Sequence, residues 1–160
     1  MTALFKKLNY KGQATIFVLH SPDSFEEELA EMQEFTQVDI EKTITAESEI
    51  HFAIVFVAKQ TEIDEAIAEI YPKLQGDAIL WFCYPKGSSK KYKCDFNRDT
   101  GWESVGKCSL EGVRMVAIDE DWSALRFRKT EYIKVIKRSE SFALSEEGKK
   151  RAKKAKEEKN

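Results

Sequence analysis

Three uninterrupted apolar runs constrain this chain more than anything else in it: residues 14–19 (ATIFVL), 52–57 (FAIVFV) and 78–84 (AILWFCY). Each has strand length, is rich in β-branched and aromatic side chains, and lacks the polar alternation of a strand with one wet face. Such a strand must be covered on both faces, which is how parallel strands between helical layers read. The segments between the runs supply the cover. After Leu19 the sequence His-Ser-Pro-Asp-Ser breaks the strand, and Asp23 or Ser24 offers an N-cap. Glu26, Glu27 and Glu28 then suit a first helical turn, where the dipole favours negative charge. Phe25, Leu29 and Met32 complete the apolar stripe of that helix. Residues 38–45, with Val38, Ile40 and Ile44, predict a weaker edge strand. Thr61 is the expected cap of a second helix with Ile63, Ala66, Ile67 and Ile70 on one face, stopped by Gln75-Gly-Asp. Strand, helix and strand in about 30 residues make a βαβ crossover.

Beyond Tyr84 the pattern changes. A polar loop fills residues 85–91, and a short helix is expected over residues 98–106 with Asn97 as cap. Residues 113–118 and 123–128 read as strands only four residues apart, a separation that requires an antiparallel hairpin turned at Asp119, Glu120, Asp121 and Trp122. Residues 132–136 read as a further edge element. From Ser139 the chain is poor in apolar residues and rich in Lys, Glu and Ala, a tail that is helical or frayed because it has no face to bury. The expected fold is α/β: a three-layer, Rossmann-like, mainly parallel sheet with helices on both faces and a C-terminal antiparallel hairpin. Residues 1–138 form one domain in this reading, and residues 139–160 the tail.

Composition narrows the setting. Cys83, Cys94 and Cys108 are odd in number and contain no C-x-x-C pair, which argues against a disulfide framework and for a reducing, cytoplasmic compartment. At the N-terminus a short apolar patch precedes Lys6 and Lys7, the wrong order for a secretory signal. The longest apolar runs fall far below the roughly 20 residues needed to cross a bilayer, so no membrane partner is expected. Net charge is -2, yet residues 1–80 carry 6 Lys/Arg against 15 Asp/Glu while residues 81–160 carry 20 against 13. That asymmetry suits an anionic partner on one side. Nucleic acid is a possible but not favoured partner: Tyr92, Trp102 and Phe127 would be its stacking surfaces, but a pI near 5.8 is low for a dedicated binder. Nothing in the sequence sets an oligomeric state.

Residues 52–84 followed by the hairpin at residues 113–128 resemble the second half of a class I methyltransferase. The resemblance is one of topology, over roughly the last two-thirds of the chain, and it implies the fold. Enzymes of that class that use S-adenosylmethionine carry a glycine-rich loop after the first strand, whereas His20-Ser-Pro-Asp-Ser contains no glycine. The dinucleotide fingerprint G-x-G-x-x-G is also missing after the later strands. No cofactor is therefore expected. A second resemblance lies in residues 80–86 (LWFCYPK), 95–102 (DFNRDTGW) and 116–128 (VAIDEDWSALRFR). These are similar to segments of small bacterial proteins grouped as a domain of unknown function, and the likeness spans most of residues 4–138. It implies a fold and no chemistry.

In open α/β sheets ligands bind beyond the carboxyl ends of the strands. The candidate there is an anion site in the loop after the run at 78–84, with Lys86, Lys90 and Lys91 for charge and Gly87, Ser88 and Ser89 for amides and hydroxyls. Further rim candidates are His20, Ser21, Lys59, Trp102 and Trp122. Either tryptophan would cover a rim pocket, pack in the core, or stack on the Arg126–Arg128 edge. His20 beside Ser21 lacks the geometry of a nucleophile and base, because adjacent residues leaving a strand diverge. His51 reads as a capping or solvent-facing residue. Asp119, Glu120 and Asp121 read as a hairpin turn, with no EF-hand pattern, and the cysteines lack zinc spacing, so no metal is expected. The favoured reading is a non-enzymatic ligand-binding or interaction module with an anion site at the carboxyl rim. The alternative is an enzyme acting on a small phosphorylated or carboxylated substrate through Lys86, Ser88, Lys90 and His20 or Asp99, and weak nucleic-acid binding through the basic half comes third.

Overall fold

The computed structural model of the chain describes residues 1–133. Six strands form one sheet in the order β2-β1-β3-β4-β6-β5. These are β1 (Thr15–Leu19), β2 (Asp39–Glu41), β3 (Ile50–Phe56), β4 (Leu74–Pro85), β5 (Leu110–Ala117) and β6 (Trp122–Lys129). The pairs β1–β2, β1–β3 and β3–β4 are parallel, while β4–β6 and β5–β6 are antiparallel. The Rossmann-like α/β architecture with a closing hairpin is therefore the one the apolar runs predict. The order reverses between β1 and β3, since β2 lies on one side of β1 and all later strands on the other.

Successive side chains of each strand enter opposite layers. Ile16, Val18, Phe52, Ile54, Ile79 and Trp81 face α1 (Ala3–Lys7) and α2 (Glu26–Phe35), meeting Phe5, Leu8, Leu29 and Met32. Phe17, Ala53, Val55, Leu80 and Phe82 face α3 (Gln60–Ile70) and α4 (Glu103–Lys107), meeting Ile63, Ile67, Ile70 and Val105. Thr2 caps α1 by accepting a hydrogen bond from the Phe5 N–H, at 3.2 Å. The end of that helix is tied to the sheet where the Trp81 indole donates to the Leu8 carbonyl, at 2.9 Å.

Several local expectations are corrected. The first large helix is entered through a 3₁₀ turn, Asp23–Phe25, with no side-chain cap from Asp23 or Ser24. The predicted edge strand over residues 38–45 contracts to three residues, because the chain must turn back at once to reach the start of β3. Lys59, not Thr61, stands at the N-cap of α3. The helix expected over residues 98–106 begins only at Glu103, and Asn97 instead bridges to Thr100 in a tight loop. The polar Asn97-Arg-Asp-Thr-Gly segment prefers turn bonds to its own backbone over helix, as the Asp99 N–H donating to Asn97 Oδ1 at 2.8 Å shows. Tyr132 closes a 3₁₀ turn, Thr130–Tyr132, and the rest of the predicted edge element and the tail lie outside the described residues. Asp119 does turn the hairpin, its Oδ1 accepting from the N–H groups of Asp121 and Trp122.

Trp102, for which core packing is one expected place, and Phe127, a stacking surface in the nucleic-acid reading, are both fully buried. Trp102 packs against Phe82, Phe96 and Phe127 with ring centroids 5.6, 5.2 and 5.0 Å away. The burial of Trp102 and Phe127 removes two of the three stacking surfaces a nucleic-acid reading would use. Trp102→Ala is expected to cost about 3–5 kcal/mol, read as a shift in the urea midpoint without loss of two-state behaviour. A smaller electrostatic effect follows at the sheet edge. Arg128 grips Asp77 with two hydrogen bonds, of 2.9 and 2.6 Å, and this holds the Asp77 carboxyl below its ordinary range. A depressed carboxylate pKa stabilises the fold above the unfolded pKa and is lost as pH falls through the folded one. Both groups are about one-third exposed, so Asp77→Asn is expected to cost only about 0.5–1 kcal/mol at pH 7. The difference from the parent should shrink below about pH 4.

Candidate functional site

The site is built by the exit of β4. The strand pairs with β6 as far as Pro85↔Trp122, and the ladder is extended when the Lys86 N–H donates to the Asp121 carbonyl at 2.8 Å. The following loop is held by its own turn: the Ser89 N–H donates to the Lys86 carbonyl, at 3.0 Å. The Ser89 hydroxyl donates to Asp121 Oδ1 at 2.8 Å and accepts from the Tyr92 N–H at 3.1 Å. The chain then passes over the carboxyl end of β3, where the Asp95 N–H donates to the Ala58 carbonyl at 3.2 Å. Between strand exit and returning loop lies a cleft of about 360 Å³, lined by Tyr84, Lys86, Gly87, Lys93, Cys94 and Phe96 among others.

Of the loop residues singled out by sequence, Lys86, Gly87 and Ser89 line this cleft. Ser88, Lys90 and Lys91 are exposed on the loop, with the Lys91 ammonium 5.5 Å from the centre of the Tyr92 ring. The Ser89 hydroxyl is engaged inside the loop, so charge in the cleft comes from Lys86 and Lys93. Lys93, Cys94 and Phe96 are not among the sequence candidates, and Tyr92 is one only as a stacking surface for nucleic acid. They enter because the loop doubles back, which the continuing polar pattern after residue 91 hints at without giving a direction. Burial raises the Tyr84 phenol and the Cys94 thiol above their ordinary values, so both are protonated at neutral pH.

The other rim candidates lie apart. His20 is exposed and left-handed, with φ 58°, and Ser21 is half-buried beside it. Lys59 is exposed at the start of α3, and Asp99 is exposed beside Arg98. Trp102 supports the cleft from behind by donating its indole N–H to the Asn97 carbonyl at 2.9 Å. Trp122 is buried between Phe56 and Tyr92, at 5.1 and 4.9 Å, rather than stacked on an arginine. Cys83 is sealed in the core, where burial pushes its thiol up. A second, larger cleft of about 790 Å³ opens at the amino ends of the strands, beside the segment joining β2 to β3. Glu41, Glu47, Glu49 and Asp77 line it with His51, a wall that repels anions. Its place at the amino ends also sets it apart from the edge where open α/β sheets bind ligands, so the smaller cleft is the better candidate.

No family model matches the sequence, and no curated protein matches it either. The resemblance to a bacterial domain of unknown function thus gains no support. Solved structures do match. The N-methyltransferase NodS from Bradyrhizobium japonicum WM9 aligns with a TM-score of 0.51 at 13% identity, over 79% of this chain and 91% of that one. The same enzyme in complex with S-adenosyl-L-homocysteine aligns at 0.51 and 13%, over 79% and 83%. The likeness is one of fold, a Rossmann-like α/β sheet shared with these structures. The reading as a non-enzymatic module is corrected: the matched structures are of an N-methyltransferase, which favours the enzyme alternative, while the likeness itself is one of fold.

The residues at the rim do not fit S-adenosylmethionine itself. On the β1 side of the switch point, His20 places a Cβ where the backbone turns left-handed, and Pro22 has no N–H to offer. The first turn of α2 carries Glu26, Glu27 and Glu28, whose negative charge opposes a bound carboxylate there. On the β3 side, the N–H groups of Ala58 and Lys59 both donate to Glu62 Oε1 at 2.9 Å, and that of Gln60 donates to Asp95 Oδ1 at 2.8 Å. The amides a bound carboxylate would use are already held by this chain's own carboxylates. Calorimetry with S-adenosylmethionine is expected to give no saturable binding below about 100 μM, roughly -5.5 kcal/mol. A tighter complex would mean that Asp95 and Glu62 give way.

Proposed function

We propose that the protein is an enzyme acting on a small phosphorylated or carboxylated substrate bound in the cleft at the exit of β4. The observation that carries this reading is the position of Lys86: half-buried, fixed by the ladder to β6, and lining a cleft at the carboxyl rim beside Lys93. An ammonium on a positioned backbone holds an oxyanion with less ordering cost than one on a free loop. Lys93 adds a second charge across the cleft. Asp121 stands at one margin, its carboxylate engaged by Ser89, and sets the limit of the anion's space. The methyltransferase fold supports a group-transfer reaction, and because the rim does not fit the usual methyl donor the proposal names the substrate class and no donor.

The test is a thermal-shift screen of small phosphates and carboxylates, followed by mass-spectrometric detection of a converted product for each compound that stabilises. Lys86→Glu is expected to weaken binding of such a compound about tenfold, near 1.4 kcal/mol, whereas Lys154→Glu leaves it unchanged. Stabilising compounds that answer to Lys154 with a steep salt dependence, and not to Lys86, would sink the proposal.

A further inference from the structure

The back wall of the β4 cleft holds a polar group that the fold itself does not use. Tyr84 is 6% exposed, and its ring is fixed against Phe96 and Trp102 with centroids 5.7 and 5.9 Å away. It nevertheless lines the cleft, and its hydroxyl has no hydrogen-bond partner among the described residues. The ring is buried while the hydroxyl opens into the cleft, where a ligand oxygen can accept its hydrogen bond. Tyr84 and Lys86 are two residues apart at the end of one strand, so they project from the same face about 7 Å apart. A phenol O–H and an ammonium at that spacing converge on one oxyanion. Burial keeps the phenol protonated, and it is therefore a donor at neutral pH.

The remaining wall is aromatic. Phe96 is 8% exposed and Tyr92 half-buried, and both line the cleft. Rings of this kind favour another ring, stacked in an offset or edge-on manner, over an aliphatic chain. A volume of about 360 Å³ admits one substituted ring. We infer that the substrate is an aromatic oxyanion, a flat ring bearing a phosphate or carboxylate. Its ring lies against Phe96 and Tyr92, and its charged group is received by the Tyr84 hydroxyl and the Lys86 ammonium. This rests on the reading of the cleft as the substrate site. Tyr84 is a binding residue that orients the anion.

Cys94 is half-buried in the same wall and reports occupancy. The experiment follows iodoacetamide alkylation of Cys94 by peptide mass spectrometry, resolved from Cys108, with phenyl phosphate set against glycerol 3-phosphate and benzoate against propionate. The aromatic member of at least one pair should protect Cys94 at a concentration five or more times lower than its aliphatic partner. Whichever pair responds distinguishes phosphate from carboxylate. Tyr84→Phe keeps the ring and should keep the melting temperature, while raising the protecting concentration about tenfold. If that variant melts early, Lys86→Gln takes its place with the same expected rise. Equal protection by both members of each pair would overturn the aromatic inference and leave the anion site standing. Protection unchanged in Tyr84→Phe, or in Lys86→Gln where it serves, would overturn the convergence of the two donors. If none of the four compounds protects Cys94, the reading of the cleft as a substrate site falls with the inference.

Discussion

Strands β3 and β4 have hardly any wet face, and the rest of the molecule answers to that. Seven consecutive residues of β4, Ala78 through Tyr84, are buried, as are the five that end β3. Each such side chain is worth roughly 1.5–3 kcal/mol when removed from water, but only if both layers are present at once. Peptide groups along these strands are satisfied by the ladders, so polar openings arise where a strand ends and its loop begins. The burial that makes the strands also decides where their exits stand. An exit fixed by packing can hold a side chain still enough for binding, which a loop tip alone does not.

The exit of β3, next to the order reversal, is closed from within. Glu62 reaches back to two amides ahead of α3, and Asp95 comes from the loop after β4 to a third. Carboxylates at a helix N-terminus complement its dipole, so this arrangement stabilises the helix while occupying the place a ligand's negative group would take. The same Asp95 loop that covers β3 forms the outer wall of the cleft beyond β4. Closing one recess and creating the next are one structural event, and the candidate site lies one strand along from the switch point.

The layered fold was legible because its evidence is local and redundant. Each of the three apolar runs demands two-sided cover, and the stripe of Ile63, Ala66, Ile67 and Ile70 appears in the structure as it does in the sequence. Caps were less legible, since Thr61 carries the usual signal but the amides are met by a glutamate in the helix and an aspartate 35 residues away. Helix α1 has five residues, too few to show a period, and its anchor is the indole of Trp81, 73 residues downstream. At the site, Lys86, Gly87 and Ser89 could be named because strand ends are marked in sequence. Tyr84, Cys94 and Phe96 could not. Tyr84 reads as the last residue of a buried run, and its role depends on a loop path that no periodicity encodes. Trp102 reads as either rim or core for the complementary reason: a turn-rich neighbourhood in sequence, Asp-Thr-Gly-Trp, folds inward against Phe82 and Phe127.

The three tryptophans make the molecule optically self-reporting. Trp81 and Trp102 are fully buried in opposite layers, and Trp122 is only 5% exposed. Emission from the folded protein should therefore be blue-shifted as a whole, with no solvent-exposed indole to mask changes. Trp122 rests on Tyr92 of the cleft loop, 4.9 Å away, and Trp102 on Phe96 of the same loop, 5.2 Å away. A displacement of that loop changes the surroundings of Trp122 and Trp102 and leaves Trp81, tied to Leu8, untouched. The fluorescence of these two rings thus follows the cleft from its two sides while that of Trp81 follows the core.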